Sequence, residues 1–352
     1  MEKQRNTPTI IDLVAYPGFC VKNSKIVQVN DAAKRLFLEP ETDVRGLLLT
    51  GKEEYANFSG GCLYLSVKLA DQAQGALVTR IDDQDIFLVD ADTELRELQL
   101  LALAAQELRM PLSNIMISAD RLTPMQTEPR CREQMARLNR GTTQLLRLVG
   151  NMSDALRYRQ GCRMQSRNVT ALLEEVFEKA GTLARSLGIT LTFSGLSQDV
   201  YSLVDSEQLE RAVLNVLSNA LKFTPQGGTV EAALTKKGHL LRLTIQDSGS
   251  GIGNGILQNI FSRYRRPPSL EDSRFGLGLG MVLVRTAAAN HGGAVLIDQP
   301  GAGTRVTMTL RIQEPANPVL HAKVLSFDYA GERDHALVEL SESLPVTFYL
   351  ED

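Results

Sequence analysis

The sequence predicts a multidomain α+β protein in which a small N-terminal mixed sheet, an antiparallel helical hairpin and a C-terminal α/β sandwich follow one another. Three observations predict this order. Residues 10–90 contain short apolar and β-branched runs separated by turn residues. Residues 98–156 carry apolar side chains at alternating spacings of three and four. Residues 168–312 alternate predicted helices and strands around glycine-rich stretches.

Composition narrows the class of protein. The chain has 352 residues, more than one hydrophobic core usually organises, and its 38 basic and 41 acidic residues give a net charge of −3. Because no uniform basic field is present, we expect no nucleic-acid partner. The longest apolar stretches, such as residues 98–105, fall far short of the roughly 20 residues that a membrane helix needs. We therefore expect no membrane span and a cytoplasmic protein, whose four separated cysteines are reduced structural thiols.

Residues 1–90 predict a sensor-like sheet. A hairpin turns at Asn23-Ser24, Asn30-Asp31 caps a short helix over residues 32–37, and strands are expected at residues 62–69, 75–81 and 86–89. This order resembles a PAS sensor domain. The resemblance implies a sensory input module, and a purely dimerising scaffold is the alternative.

Residues 91–160 predict two helices with an apolar seam each. The first seam comprises Leu98, Leu101, Ala105, Leu108, Leu112, Ile115, Ala119 and Leu122, and the second comprises Cys131, Met135, Leu138, Thr142, Leu145, Val149, Met152 and Leu156. Pro124 and Pro129 break the helix between them. Because one narrow hairpin cannot bury both seams, we expect a homodimer with a four-helix bundle.

The C-terminal half predicts an α/β sandwich over residues 168–312, after a linker at residues 161–167. Helices are expected at residues 171–187, 205–223 and 277–291, and strands at residues 189–193, 228–235, 240–246, 294–297 and 303–312. The remaining extension, residues 313–352, predicts another strand, helix and strand, and its sequence indicates no role.

The first chemical signature in this half is N-x-x-x-N-A-x-K on a predicted helix. The spacing places the amides of Asn215 and Asn219 on one helical face. Amide oxygens suit Mg²⁺, and Lys222 can offer a positive charge to phosphate. Taken alone, such a pair of asparagines is more often a solvated helix face.

Three further signatures follow in order. A carboxylate at a strand end, Asp247, precedes Gly249 and Gly251, and such a carboxylate can accept a hydrogen bond from an exocyclic amine of adenine. A glycine-rich turn then opens a helix, where bare amides favour phosphate. Its glycines are Gly276, Gly278 and Gly280. The last signature is Gly303-Thr304, which we expect within the last strand.

Together these signatures resemble the N, G1 and G2 boxes of the ATP-binding domain shared by histidine kinases, gyrase, ninety-kilodalton heat-shock chaperones and mismatch-repair ATPases. The resemblance covers nearly all of residues 168–312. It implies that Asn219 binds Mg²⁺, that Asp247 reads adenine above a floor of Gly249 and Gly251, and that Thr304 is its water-bridged partner. It also implies that Gly276, Gly278 and Gly280 form the phosphate loop. Hydrolysing members have glutamate where this chain has Asn215, and an amide cannot take a proton.

Two further segments match the family. Residues 253–275 correspond to a lid over the nucleotide, with Phe261 and Tyr264 similar to the family's F box. Four arginines in this segment could meet phosphate, although a solvated loop charge is the more frequent role of any one of them. They are Arg263, Arg265, Arg266 and Arg274. His291 matches a family helix end and is expected to be structural.

The family's phosphoacceptor motif is altered. Members read H-E-L-R-T-P-L where this chain reads Q-E-L-R-M-P-L at residues 106–112, which places Gln106 at the position of the phosphorylated histidine. A glutamine amide has no nucleophilic nitrogen, so autophosphorylation at this site is chemically excluded. Glu107 is retained, but Met110 replaces the residue with which the family positions a water for phosphatase activity. The four histidines of the chain all lie outside the hairpin.

The sequence therefore supports three hypotheses. The first is a degenerate sensor histidine kinase, a pseudokinase or regulator that binds ATP and Mg²⁺ and acts through a partner kinase or a response regulator. The second is an active kinase that transfers phosphate to a separate protein, either a partner kinase's histidine or a serine. The third is a scaffold in which nucleotide binding is vestigial, against which the intact boxes argue.

Overall fold

The structure is a computed structural model that describes residues 11, 16–90, 93–126, 128–251, 278–313 and 334–350. Its main feature is a ten-stranded sheet to which both the N-terminal and the C-terminal parts of the chain contribute. None of the helices within these ranges has an apolar stretch of the length that a bilayer requires.

The N-terminal part forms five antiparallel strands. They are β1 (Gly18–Lys22), β2 (Lys25–Val29), β3 (Cys62–Leu69), β4 (Gln72–Ile81) and β5 (Gln84–Val89), in the sheet order β2-β1-β5-β4-β3. The predicted hairpin is confirmed, and both of its turn residues, Asn23 and Ser24, have positive φ angles. Helix α1 (Asp31–Lys34) is shorter than predicted, and the side chain of Asn30 caps it by accepting from the Ala33 amide. Helix α2 (Lys52–Ala56) was not predicted.

The two hairpin helices are confirmed as α3 (Thr93–Leu122) and α4 (Pro129–Arg157). A 3-10 turn, Thr123–Met125, ends the first helix, and Pro129 begins the second. Only one row of the first seam is buried within the chain, namely Leu98, Ala105, Leu112 and Ala119. The alternate row of that seam, Leu108, Ile115 and Leu122, is exposed.

The C-terminal half contains seven strands and three helices within residues 165–251 and 278–313. The strands are β6 (Gln165–Asn168), β7 (Thr190–Ser194), β8 (Tyr201–Val204), β9 (Thr229–Lys237), β10 (Leu240–Asp247), β11 (Val295–Asp298) and β12 (Arg305–Arg311). The helices are α5 (Val169–Ser186), α6 (Ser206–Phe223) and α7 (Leu279–Asn290). They pack on one face of the strand order β11-β12-β10-β9-β7, with an apolar core between the two layers.

Three expectations for this half were wrong. The predicted linker ends in strand β6, which pairs with β8, a strand that the sequence did not predict. Thr304 lies just before β12 and not within it. In the extension, the described residues 334–350 form helix α8 (His335–Glu339) and a 3-10 turn, Val346–Tyr349, where a final strand was expected.

The N-terminal and C-terminal strands of this sheet are joined edge to edge. Strand β3 pairs with β11 through Cys62–Ile297, Leu63–Leu296 and Tyr64–Val295, so the N-terminal part and the C-terminal half share one sheet. Asp90, which follows β5, accepts hydrogen bonds from Tyr64, from Arg159 beyond α4, and from Arg285 on α7. The N-terminal part is therefore in direct contact with the C-terminal half.

Candidate nucleotide-binding site

The first part of the candidate site is a buried carboxylate at the end of β10. The Oδ1 atom of Asp247 accepts from the Gly249 amide at 2.8 Å and from the Thr304 amide at 3.2 Å. The Asp247 amide donates to the Thr304 carbonyl at 2.9 Å. Both hydrogen bonds to the carboxylate use Oδ1, so neither engages Oδ2. Burial raises the pKa of Asp247, although the hydrogen bonds from the two amides oppose that shift.

Glycines allow the backbone to close around this carboxylate. A Cβ atom on Gly249 would lie 2.5 Å from the Phe223 carbonyl oxygen, and one on Gly303 would overlap the Asp247 carbonyl oxygen. Gly251 and Gly303 also have positive φ angles of 73° and 82°. Larger residues at these positions would push the loop away from Asp247.

The second part of the site is the face of α6 that carries the two asparagines. Asn215 is 1% exposed, and Asn219, one turn later, is half-buried. The Asn215 Nδ2 atom donates to the Arg211 carbonyl at 2.9 Å, and its Oδ1 accepts from Arg147 at 3.3 Å. Asn215 is therefore held by protein groups, whereas Asn219 carries its amide at a half-buried position of the same helix.

Asn219 fits the chemistry of a Mg²⁺ ligand. Mg²⁺ prefers oxygen donors and usually takes only one or two from the protein, with water and phosphate completing its coordination. A half-buried amide on a rigid helix satisfies this requirement, and Lys222 lies three residues further along the same helix. The Lys222 ammonium contacts Glu342 at 2.5 Å.

The third part of the site is the start of α7. Gly278 is the N-cap residue with a φ angle of 72°, and a Cβ atom on Gly280 would lie 2.6 Å from the Asn215 Oδ1 atom. The first turn of α7 thus packs closely against α6 at Asn215. Gly276 lies outside the described residues, as does the predicted lid with Phe261, Tyr264, Arg263, Arg265, Arg266 and Arg274.

His291 has the structural role that was expected. Its Nε2 atom accepts from the Asp205 amide at 3.0 Å, so the proton resides on Nδ1, which donates to the Ala287 carbonyl at 2.6 Å. Burial lowers its pKa and keeps the ring neutral. Because Asp205 is the N-cap residue of α6, His291 fixes the start of the helix that carries the asparagines.

The hairpin presents the altered motif to the outside. Gln106 and Glu107 are both exposed on α3, next to the buried seam residue Ala105. Met110 is exposed as well, and Arg109 donates to Ser153 on α4 at 3.3 Å. The base of α7 packs on the same hairpin, because Leu279 and Leu283 share a core cluster with Leu98 and Ala105.

Sequence reasoning missed an ionic cluster beside the asparagines. Arg147 of α4 and Arg211 of α6 are both buried, and both pair with Glu339 of α8. Arg211 lies one turn before Asn215, but a single arginine on a helix gives no signal that its partner is 128 residues away. The pairing could not be found without the position of the extension.

Comparisons with known proteins found a matching family and several similar proteins. Residues 204–314 match the family of histidine kinase-, DNA gyrase B- and HSP90-like ATPases. The sensor protein KdpD of Clostridium acetobutylicum is 27% identical over 246 residues, which cover 67% of this chain and 27% of KdpD. The sensor-like histidine kinase SenX3 of Mycolicibacterium smegmatis is 27% identical over 298 residues, which cover 83% of this chain and 76% of SenX3.

One solved structure shares the fold at a lower level of identity. It is full-length ShkA in complex with AMPPNP, which aligns with a TM-score of 0.51 and 24% identity over 63% of this chain and 47% of ShkA. The chain thus spans about a quarter of the length of KdpD and about half that of ShkA. Residues 204–314 therefore match the family of histidine kinase-, DNA gyrase B- and HSP90-like ATPases, and the chain is similar over most of its length to sensor histidine kinases.

Proposed function

We propose that this chain is an ATP-binding signal-transduction protein of the two-component type in which Gln106 replaces the phosphoacceptor histidine. It would then act as a pseudokinase or regulator. The observation that carries this proposal is the contrast between a formed Asp247 cluster and an exposed, non-nucleophilic Gln106. The AMPPNP bound to ShkA supports ATP as the ligand.

Asp247 would recognise the adenine ring. Two backbone amides hold its Oδ1 atom, which leaves Oδ2 to accept from the exocyclic amine. Gly249 and Gly251 would let the ring approach the backbone, and Thr304 would bridge to it through water. Specificity for adenine follows because a guanine carbonyl at the same place would face a carboxylate.

The α6 face and the start of α7 would hold the phosphates. Asn219 would bind Mg²⁺, which neutralises part of the triphosphate charge, and Lys222 would contribute a further positive charge. The amides near Gly276, Gly278 and Gly280 would meet phosphate oxygens at a helix N-terminus. Asn215 has no proton-accepting group at neutral pH, so we expect ATP to be held and not rapidly hydrolysed.

The proposal includes a homodimer. Leu138 and Leu145 of the second seam are exposed as well as the row on α3, and exposed apolar side chains on both helices of a hairpin fit a second copy of the same hairpin. Sedimentation should show a dimer that Leu108→Glu or Ile115→Glu dissociates. A wild-type monomer at every concentration would contradict it.

The N-terminal sheet would act as a PAS-like sensor. It has its own hydrophobic core, and it contacts the ATPase domain through β3 and β11. A change in the sensor could therefore alter the position of the ATPase domain. The output would pass to a partner kinase or a response regulator in the cytoplasm, where ATP is available.

An active kinase that phosphorylates a separate protein is the second candidate. The hydrogen-bonded arrangement around Asp247 and the presence of Glu107 beside Gln106 favour it. In this case the substrate would be the histidine of a partner kinase or a serine.

Transfer of radiolabelled γ-phosphate separates the two candidates. The wild type should not label itself, and acid-labile label on its own chain would contradict both. A Gln106→His variant that gains phosphohistidine shows a competent active site and favours the kinase. A variant that binds ATP but gains no label favours the pseudokinase.

A further inference from the structure

The described part of the C-terminal extension, residues 334–350, is packed into the protein. Its apolar side chains belong to the core cluster that also contains α5 and α6 residues, and they are Ala336, Leu340, Leu344 and Tyr349. Asp334 caps α8 by accepting from the amides of Ala336 and Leu337. Such burial fixes the position of any charged residue that the segment carries.

Glu339 of this segment bridges two helices. It is fully buried, and its Oε2 atom accepts from Arg147 Nε of α4 at 3.0 Å while its Oε1 atom accepts from Arg211 Nε of α6 at 3.1 Å. A buried carboxylate between two guanidinium groups gives little net stability, but the three groups must be placed accurately to offset the cost of removing them from water. It therefore specifies how α8 sits between the hairpin and the ATPase domain.

Glu342, one turn later, contacts the proposed phosphate end directly. Its Oε1 atom lies 2.9 Å from Arg147 Nη1, and its Oε2 atom lies 2.5 Å from Lys222 Nζ. Burial by itself would raise the pKa of Glu342, but the charges and hydrogen bonds of Arg147 and Lys222 outweigh it and lower the pKa. The carboxylate is thus ionised and paired at neutral pH.

Polar side chains of α4 complete the attachment. Arg140 donates to the Glu342 carbonyl at 3.4 Å, and Gln144 donates to the Ser341 carbonyl at 3.2 Å. Together with Arg147 they lie at spacings of four and three, on one face of the helix. This polar face of the hairpin is therefore occupied by the extension.

These contacts oppose phosphate binding. The Lys222 ammonium already neutralises a carboxylate, and the Asn215 amide already contacts Arg147 and Glu339. Phosphate groups brought to this place would have to compete with the Glu342 carboxylate for the Lys222 ammonium. Within the part of the chain that the structure describes, the Asp247 carboxylate has no hydrogen bond or ion pair with residues 334–350, since its partners are the amides of Gly249 and Thr304.

We propose that residues 334–350 form a C-terminal clamp, which ties α4 to α6 through Glu339 and Glu342 and opposes the binding of nucleotide phosphates through Glu342. The clamp makes nucleotide affinity depend on how the hairpin and the ATPase domain are arranged. The part that concerns phosphate rests on the proposed function, whereas the tie between the two helices does not.

The test uses the full chain and the substitution Glu342→Gln, which keeps the shape of the side chain but removes its charge. Calorimetry with Mg-ATP should show a roughly tenfold gain in affinity, because Lys222 and Arg147 lose a competing carboxylate. Adenosine, which lacks phosphate, should bind with unchanged affinity. Glu133→Gln is the matched control, because Glu133 forms an exposed ion pair with Arg137 on α4 at 2.8 Å.

Hydrogen exchange without nucleotide tests the tie between the helices separately. Glu342→Gln should speed exchange in residues 334–350, and Glu133→Gln should not. Unchanged exchange in both variants would overturn the clamp. If no variant binds ATP, the proposed function fails, and the exchange result alone decides on the clamp. Unchanged or weaker ATP binding by Glu342→Gln would overturn the inhibitory role.

Discussion

The two ends of the candidate nucleotide site differ in what holds their polar side chains. At the adenine end, backbone amides from neighbouring loops hold Asp247. At the phosphate end, charged side chains from the hairpin and the extension hold Asn215 and Lys222. The first arrangement depends on local geometry, and the second depends on how distant parts of the chain are placed. Regulation is therefore expected to act on phosphate more than on adenine.

Their carboxyl groups show the same contrast. Burial raises the pKa of Asp247, whereas Arg147 and Lys222 lower the pKa of Glu342 despite its burial. An ionised Asp247 is thus costly until a donor arrives, and an ionised Glu342 is already satisfied. The adenine end is prepared to receive a hydrogen-bond donor, whereas the phosphate end is already neutralised.

The largest effect on the free energy of unfolding is expected at the phosphate end. Arg211→Met should lower the free energy of unfolding by about 3–5 kcal/mol, because it leaves the buried carboxylates of Asp154 and Glu339 without this partner. Urea denaturation measures the change. Arg137→Met, which breaks an exposed pair, should cost less than about 1 kcal/mol. Equal losses in the two variants would show that the ionic cluster is not a structural centre.

At the adenine end, a single methyl group should be disruptive. Gly303→Ala should lower stability by about 1–3 kcal/mol and weaken adenosine binding, because the new Cβ atom would overlap the Asp247 carbonyl oxygen at a positive φ angle. Gly301→Ala is the control, since a Cβ atom there meets nothing within 4 Å. Thermal unfolding and calorimetry give the two measurements. Unchanged adenosine affinity in Gly303→Ala would contradict this account of the loop.

Because the pKa of Asp247 is raised, we expect Asp247→Asn to weaken nucleotide binding without lowering the stability of the folded protein. A carboxyl whose folded pKa is raised contributes stability below its unfolded value of 3.8, and that contribution is lost as pH rises through the folded pKa. At neutral pH, nucleotide-free Asp247→Asn should therefore be as stable as the wild type or more stable, within about 1 kcal/mol. Denaturation at several pH values checks it. A clear loss of stability at neutral pH would mean that the carboxylate is structural.

A similarly small effect on stability, with the opposite sign, is expected from Glu342. Its lowered pKa contributes stability above the unfolded value of 4.5, and this is lost as pH falls through the folded pKa. Glu342→Gln should therefore cost on the order of 1 kcal/mol at neutral pH and less below pH 4.5. A variant whose deficit stays constant with pH would refute the ionic role of Glu342.

The sequence predicted the adenine end better than the phosphate end for a physical reason. Asp247, Gly249 and Gly303 lie at the ends of adjacent strands, and short motifs reveal close backbone approaches. The clamp depends on pairs such as Arg147 and Glu339, which are 192 residues apart and resemble solvated charges in the sequence. The β3–β11 pairing was missed because the sequence of an edge strand does not indicate which other strand will pair with it.

In the helical hairpin, the sequence predicted the two helices correctly but did not predict all of their contacts. Its two helices follow from the apolar spacing and the prolines, and they are confirmed. The exposed row with Leu108 and Ile115 is consistent with a dimer, but the dimer and the domain limits remain predictions. The polar face with Arg140, Gln144 and Arg147 contacts the extension, which the sequence did not predict.

The central claim is that the C-terminal half binds ATP through Asp247. Calorimetric titration of the full chain with Mg-ATP, for the wild type and Asp247→Asn, tests it most directly. We expect saturable binding by the wild type and at least tenfold weaker binding by the variant, since a buried charged hydrogen bond is lost. Absence of binding by the wild type, or undiminished binding by Asp247→Asn, would contradict it.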